Sequence, residues 1–490
     1  MRILYVNWVD YRDPEGRGGG VSVYQRNLIA ALAGRAGVET AFLSSGIAHD
    51  LWRRTPRVVT LADGPSPRYA LVNSGLVAPS HADFAGAAQL DHAATERAFA
   101  DFIDRTGPWD VIHFNNLEGL PANILALRPR WPRTRFVLSL HNYYPFCPQV
   151  NLWFAERETC DDFHAGAKCA RCLPAPPQPG SVRLAYAFAW SLSQRGLGPG
   201  TAFYDRLFRP GMSRAWRLAR RLLQRRGDDD APAPPPAIGL RPHGHAGDPF
   251  ARRRARMVGL INAHCDRVLC VSDRVRQIAL LHGIHAERLQ TLYIGTAEAA
   301  EWQKTLPRPG FLAPDGTLHL AYLGYMRRDK GFHFLMQALQ ALPLVQARRL
   351  RLTVAARSGD AGAMAGLNAL RPHLAEVRHV DGYTHDDLTA LLADVALGIV
   401  PVQWEDNLPQ VALEMHARHI PLITSDRGGA QELGRAPAFV FRAGDAQDLH
   451  RVLYRVLEGA VQPADYWTRA QPPTSMDEHL DALLEVYARD

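Results

Sequence analysis

The densest set of chemistry-bearing residues is Gln403-Trp-Glu-Asp-Asn-Leu-Pro-Gln-Val-Ala-Leu-Glu414, which follows the apolar run Val395 to Val400. Asp406 or Asn407 can cap a helix there, Pro409 suits its first turn, and Val411 to Arg418 continues it. A helix that opens at the carboxyl end of a strand lies where open α/β sheets bind ligands. Its free amides, near Asn407 and Leu408, and the positive end of its dipole favour a phosphate. Glu414 falls more than a turn inside, where a carboxylate can accept hydrogen bonds from the two vicinal hydroxyls of a ribose.

Three further turns carry the same kind of chemistry. Gly324-Tyr-Met-Arg-Arg-Asp-Lys-Gly331 lies between an apolar run and a helical pattern. Its glycines permit close backbone approach, and Arg327, Arg328 and Lys330 supply positive charge for a diphosphate. Ser425-Asp-Arg-Gly-Gly-Ala-Gln-Glu432 repeats the strand-to-helix pattern and offers Gly429 and Glu432. Near the N-terminus, Gly16-Arg-Gly-Gly-Gly20 follows the extended run Arg2 to Trp8 and precedes the helical run Val21 to Ala33. A glycine triplet alone is more often a loop, and a lone Lys-Gly turn a solvated helix start. Their shared placement between strands and helices is what carries weight. His113, inside a strand with Asn115 and Asn116 nearby, reads as structural.

Cys147, Cys160, Cys169 and Cys172 fall in one short segment, while Cys265 and Cys270 lie apart. Cys169-x2-Cys172 has the short bite with which two thiolates share a tetrahedral metal, so the four are read as a candidate structural zinc site. The competing reading is four reduced thiols packed beneath a loop. Ser213 to Arg226 forms a basic amphipathic pattern, with leucines on one side and arginines on the other. It is either a docked helix with a solvated arginine face or a peripheral contact with anionic lipid.

The elements that must position these residues follow from the hydrophobic pattern. A chain of 490 residues exceeds what one core accommodates, so two domains facing a cleft are expected. Strands at Arg2–Trp8, Thr40–Leu43, Val111–Phe114, Arg135–Leu140 and Arg267–Val271 alternate with helical patterns, as in a parallel sheet. A second series of six strands runs from His319 to Phe441, and the proline-bearing stretch from Glu298 to Pro314 reads as the hinge. The divisions are 1–300, with a cysteine-rich segment 147–172 and an insertion at about 173–256; 301–465; and a final helix in 466–490. The middle of the insertion, with Asp228-Asp-Asp230 and Ala231-Pro-Ala-Pro-Pro-Pro236, reads as a surface linker.

Apolar residues make up 47% and charged residues 21%, an ordinary globular balance, and the net charge of +7 is mild for this length. Met1-Arg-Ile-Leu-Tyr-Val reads as a strand rather than a leader, and Leu184 to Leu192 is shorter than the roughly 20 residues needed to span a bilayer. The expected location is the cytoplasm, with membrane contact limited to the periphery at its inner face. The basic residues lack an aromatic reading platform for nucleic acid.

With these motifs in hand, the sequence resembles retaining glycosyltransferases of the GT-B architecture, specifically the family 4 type, along nearly the whole chain. The most specific part is Asp406-x7-Glu414 followed by Gly428-Gly429-Ala-Gln-Glu432. The resemblance implies an α/β fold of two Rossmann-like doubly wound domains. It implies that Glu414 holds the donor ribose, Asp406 touches the donor sugar, and Lys330 with a neighbouring arginine neutralises the diphosphate. It also matches His141, after the strand ending Leu138-Ser-Leu140, to a histidine set against the donor sugar, with Gly19 and Gly20 approaching the donor phosphate. Two positions depart from the family pattern: Asp406 stands where Glu is usual, and Tyr325 where Arg is usual, which leaves Arg327 or Arg328 to supply that charge.

The expected activity is transfer of a sugar from a nucleotide-diphosphate sugar to a saccharide or lipid-linked saccharide acceptor with retention at the anomeric carbon, in bacterial-type surface polysaccharide or glycoconjugate synthesis. No catalytic cofactor is expected. The alternatives are a nucleotide-sugar epimerase of the same architecture and a non-catalytic nucleotide-sugar-binding protein.

Overall fold

The computed structural model describes residues 1–61, 64–84, 87–172, 179–212, 214 and 248–488. The N-terminal lobe is built on β1 (Arg2–Asn7), β2 (Glu39–Ser45), β3 (Arg57–Leu61), β4 (Arg68–Val72), β5 (Val111–Phe114) and β6 (Arg135–Leu140). A small hairpin, β7 (Trp153–Phe154) and β8 (Glu158–Thr159), precedes β9 (Arg267–Cys270) and β10 (Leu289–Thr291). The eight-stranded sheet runs β10-β9-β6-β5-β1-β2-β4-β3, and β3 is antiparallel to β4 at its edge. The C-terminal lobe contains β11 (Leu318–Leu323), β12 (Leu350–Ala355), β13 (Glu376–Val380), β14 (Leu397–Val400), β15 (Leu422–Ser425) and β16 (Val440–Phe441). They form a parallel sheet in the order β13-β12-β11-β14-β15-β16.

Burial on both faces explains why the central strands read as continuous apolar runs rather than alternating ones. Every residue of β5 and β14 is buried, as are all but the first of β1 and β6. The strands that pattern reading passes over, β3, β4 and β10, lie at or next to the sheet edges, and β3 has no buried residue. Pairing to a neighbour, not local composition, makes them strands.

Both sheets reverse their winding direction at an interior pair, β1/β5 in the first and β11/β14 in the second. Loops leaving a sheet on either side of such a point diverge and open a crevice at the strands' carboxyl ends.

The last helix, Met476–Tyr487, begins at a Ser475/Glu478 capping box and packs back on the N-terminal lobe. Arg35 pairs with Asp477 at 3.1 Å and Asp481 at 3.0 Å, and Tyr487 donates to the Tyr5 hydroxyl at 3.2 Å. His113 hydrogen-bonds Tyr487 and, at 2.7 Å, Ser139, which gives it a structural place under this helix.

Both flanks of the expected insertion are helical, at Pro179–Ser193 and Asp248–His264. Apart from residue 214, the basic stretch 213–226 and the acidic and proline-rich linker lie outside the described residues. No helix among the described residues is long and apolar enough to cross a membrane.

Candidate active site

A cavity of about 250 Å³ lies between the lobes, at the carboxyl ends of both sheets. Gly20, Val21, Tyr24 and His141 line it from the N-terminal lobe. Gly324, Tyr325, Lys330, Trp404, Asp406, Asn407, Leu408 and Gln410 line it from the other. The turns after β11 and β14 thus meet at the winding reversal of the second sheet.

Lys330 Nζ donates to Asp406 Oδ2 at 2.5 Å and stands 5.2 Å from the centre of the Trp404 ring. Gly331 lets the chain turn there: its φ is +74°, and a Cβ would fall 1.7 Å from the Pro401 carbonyl oxygen. Asp406 is supported from beneath by the glycine pair. Gly429 N–H donates to the Asp406 carbonyl at 2.9 Å, and a Cβ on Gly428 would lie 2.0 Å from that same oxygen.

Asp406 and Asn407 do not cap the following helix, which corrects the sequence expectation. The helix is Gln410–His416 with Pro409 at its N-cap and no side-chain cap bond. The Asp406 carboxylate is taken by Lys330, and Asn407 Nδ2 reaches across the cleft to the Leu140 carbonyl at 3.1 Å. Ser272 Oγ, from the same lobe as Leu140, donates to the Asn407 carbonyl at 2.8 Å.

His141 follows β6. Its Nε2 lies 3.1 Å from Asn115 Oδ1, which places a proton on Nε2 and leaves Nδ1 as an acceptor. Burial, reinforced by His479, pushes its pKa down to about 3. It is therefore a neutral hydrogen-bonding group at any ordinary pH. Tyr24, 5.2 Å from His141 ring to ring, is itself held by His479 Nε2 at 2.8 Å, so the final helix braces the N-terminal wall of the cavity.

Gly19, Arg327, Arg328, Glu414, Gly429 and Glu432 do not line this cavity. Gly19 is positioned one residue before it, with φ +53° at the first turn of the helix Gly19–Leu32. Arg327 is solvent-exposed and bonded to Asp329 at 2.9 Å, and Arg328 is exposed. Glu414 is buried beside the cavity, accepting from Tyr383 at 3.1 Å with His385 Nε2 at 3.4 Å. That hydrogen bond raises the His385 pKa against the opposing effect of burial. Tyr383 and His385 lie just after β13 and carry no motif of their own; only their contact with Glu414 identifies them.

Glu432 is engaged at the lobe interface. It accepts from the N–H groups of Asp273 at 2.9 Å and Arg274 at 2.7 Å, and from Tyr293 at 2.6 Å. Those amides open the helix Asp273–Leu281, where a carboxylate complements the dipole. Glu405, next to Asp406, points the other way. Its oxygens accept from Arg274 at 2.5 and 2.9 Å, Arg427 at 3.1 Å and Gly428 N–H at 3.0 Å. Burial pushes the Glu405 carboxyl up, and Arg274, Gly428 N–H and Arg427 together outweigh it, so the group is held below the usual range.

The four clustered cysteines are buried free thiols. Burial, with their neighbouring thiols, raises Cys160 to about 11 and Cys169 to about 12. Cys172 is also raised by burial to about 12, and its Sγ lies 2.8 Å from Gln149 Oε1. Among the described residues no three His, Cys, Asp or Glu side chains are grouped as a metal ion requires.

Residues 317–459 match the family model of glycosyl transferases group 1. That segment contains the Lys330 turn, Asp406 and Glu414. No curated protein matches the sequence. Among solved structures, sucrose-phosphate synthase from Thermosynechococcus elongatus aligns over 99% of this chain and 98% of its own, with TM-score 0.55 and 14% identity. Anabaena HepE in complex with UDP aligns over 99% of both chains, with TM-score 0.55 and 13% identity. The α,α-trehalose 6-phosphate synthase from Burkholderia multivorans aligns over 99% of this chain and 98% of its own, again with TM-score 0.55 and 13% identity. The fold is the GT-B architecture of two doubly wound α/β domains.

Proposed function

We propose that the chain is a retaining glycosyltransferase that moves a sugar from a nucleotide-diphosphate sugar to an acceptor hydroxyl. The observation that carries this reading is the Lys330–Asp406 pair facing His141 across a cavity at the carboxyl ends of both sheets. The match of the C-terminal lobe to glycosyl transferases group 1 supports it, as does the likeness to HepE, whose structure holds UDP.

As the bond between the anomeric carbon and the diphosphate oxygen breaks, negative charge grows on the diphosphate. Lys330 is the cation placed to meet it, and exchanging its Asp406 partner for phosphate frees that carboxylate to orient a sugar hydroxyl. His141, neutral with an acceptor nitrogen, takes a second hydroxyl. The acceptor oxygen bonds to the anomeric carbon on the face the leaving group vacates, and its proton passes to the departing phosphate. No strong protein base and no obligatory metal are needed for these steps. Glu414 receives the ribose hydroxyls by sharing or releasing Tyr383 and His385.

The place of this activity is surface polysaccharide or glycoconjugate synthesis in the cytoplasm, a reducing setting that six free cysteines suit. For the cysteine cluster the reading is a structural zinc. It requires Cys172 to give up Gln149 and the four thiols to lose their protons and draw together, so metal content decides it: less than about half an equivalent in purified protein ends the idea.

The test of the main reading is a panel of nucleotide sugars with the native chain and its Lys330→Ala and Glu414→Ala variants, with product configuration read by NMR. Near-normal turnover in both folded variants, or an inverted product, would refute it.

A further inference from the structure

The two walls of the inter-lobe cavity differ in chemistry. Lys330 stands on the C-terminal wall, whereas Gly20, Val21, Tyr24, His141, Val271 and Ile294 on the N-terminal wall include no cation, His141 being neutral. Tyr24 and His141 are the polar side chains of that wall.

Tyr24 lies on the helix Gly19–Leu32 and is 3% exposed. Burial raises its hydroxyl well above the ordinary tyrosine value, so the proton stays on the oxygen. Among the described residues its hydrogen-bond partner is His479 Nε2, at 2.8 Å.

The direction of that bond is set from the far side of the imidazole. His479 Nδ1 lies 2.8 Å from the Tyr293 carbonyl oxygen, which can only accept, so the ring proton sits on Nδ1. Burial lowers the His479 pKa to about 4, so the ring carries no second proton at neutral pH. Its Nε2 is then an acceptor, and Tyr24 must donate to it. The Tyr293 segment is itself fixed at both ends. Thr296 N–H donates to the Thr474 carbonyl at 3.1 Å, just before the final helix, and the Tyr293 hydroxyl donates to Glu432 at 2.6 Å.

A tyrosine hydroxyl has a single proton and two lone pairs. With that proton committed to His479, Tyr24 Oη can only accept from a ligand. His141, 5.2 Å from Tyr24 ring to ring and with its Nε2 proton given to Asn115, is an acceptor as well. Two neutral acceptors side by side attract hydroxyl protons and repel carboxylate and phosphate oxygens. Lys330 suits the anionic part of a ligand, and this wall suits the part that carries hydroxyls.

We propose that Tyr24 binds the transferred sugar by accepting one of its hydroxyl protons at Oη, and that His479, on the final helix, is the positioning residue that sets this polarity. This deepens the glycosyltransferase reading and rests on it. Without His479 the Tyr24 proton is free to turn toward the cavity, where it opposes the proton of the sugar hydroxyl.

The experiment is calorimetric titration of the full chain and its Tyr24→Phe, His479→Phe and doubly substituted variants with UDP-glucose, UDP-N-acetylglucosamine and GDP-mannose, beside UDP and GDP. Tyr24→Phe should weaken the best-bound nucleotide sugar about three- to tenfold, as expected for loss of a neutral hydrogen bond, with the affinity for its free nucleotide unchanged. His479→Phe should do the same alone and add nothing in the Tyr24→Phe background, because it acts through that hydroxyl. Nucleotide-sugar binding indifferent to Tyr24→Phe, equal losses for sugar and free nucleotide, or a His479→Phe loss that persists without the Tyr24 hydroxyl overturns the proposal. Should His479→Phe fail to fold, histidine-selective nitrogen NMR of the native chain decides the polarity. The ring that responds to Tyr24→Phe is expected as the neutral Nδ1–H tautomer, and an Nε2–H tautomer overturns the proposal. Failure of the native chain to bind any of the five nucleotides counts against the glycosyltransferase reading, while the tautomer still judges the Tyr24–His479 pair.

Discussion

Lys330 and Asp406, 76 positions apart in sequence, meet at 2.5 Å where the turns after β11 and β14 converge. Each neutralises the other. On the proposed reading a diphosphate entering the cavity competes with Asp406 for Lys330, so the pair holds the lysine in place and gives it up when a stronger anion arrives.

Replacing Lys330 with Ala should therefore act mainly on the chemical step. Removing one preorganised charge from a transition state costs about 100- to 1,000-fold in kcat. Steady-state kinetics, with circular dichroism to confirm folding, checks this; a fall confined to KM would reassign Lys330 to simple binding.

Glu414 and Tyr383 should separate binding from catalysis. Glu414→Gln loses a charge-assisted acceptor for the ribose and is expected to weaken nucleotide binding by about 1.5–3 kcal/mol. Tyr383→Phe removes the 3.1 Å hydrogen bond that orients Glu414 and should cost about 1 kcal/mol of binding with kcat nearly unchanged. Titration with UDP reads both values.

The Arg274–Glu405 pair ties the lobes together, and Glu405 is 2% exposed. Arg274→Ala leaves that carboxylate with Arg427 and Gly428 N–H, so the loss should approach the lower end of the range for a broken buried pair, about 3 kcal/mol. Combining it with Glu405→Gln should recover part of the loss. Chemical denaturation of the two single variants and the double variant measures the coupling, and strict additivity would show that the pair contributes nothing.

Acid should unfold the protein early. His49, His416 and His479 are buried, and burial is the largest cause lowering each to about 4. A depressed histidine keeps the folded state unprotonated while the unfolded chain takes up protons below about pH 6.5. The stability is fully present above that pH and is lost as pH falls toward 4, at up to about 1.4 kcal/mol per pH unit for each histidine. Denaturation midpoints should hold from pH 7.5 to about 6.5 and fall from there to 4.5; a flat profile throughout would show that these rings accept protons in the fold.

The legibility of the site followed the distance over which each contact acts. Lys330, Asp406 and His141 stand at strand-to-loop junctions, and apolar runs followed by glycine or proline make such junctions visible in a sequence. Glu432 occupies an equally recognisable turn, yet its carboxylate is claimed by the amides of Asp273 and Arg274 from the other lobe. Nothing near residue 432 in the chain announces that partner. Arg327 illustrates the same point at short range: a neighbouring carboxylate, Asp329, captures it. The edge strand β3, half-exposed along its length, was illegible because such strands are selected by pairing more than by composition.

The sequence by itself determined two α/β domains and the turns that meet at the inter-lobe cavity, because buried central strands demand long apolar runs and sharp turns demand glycine. Tertiary structure decided which charged groups remain available to a ligand. What a ligand must displace or share at each charged group is set by the partner that holds it, and those partners, Arg274 for Glu405, Tyr383 for Glu414 and Asp406 for Lys330, come together only when the lobes and loops pack.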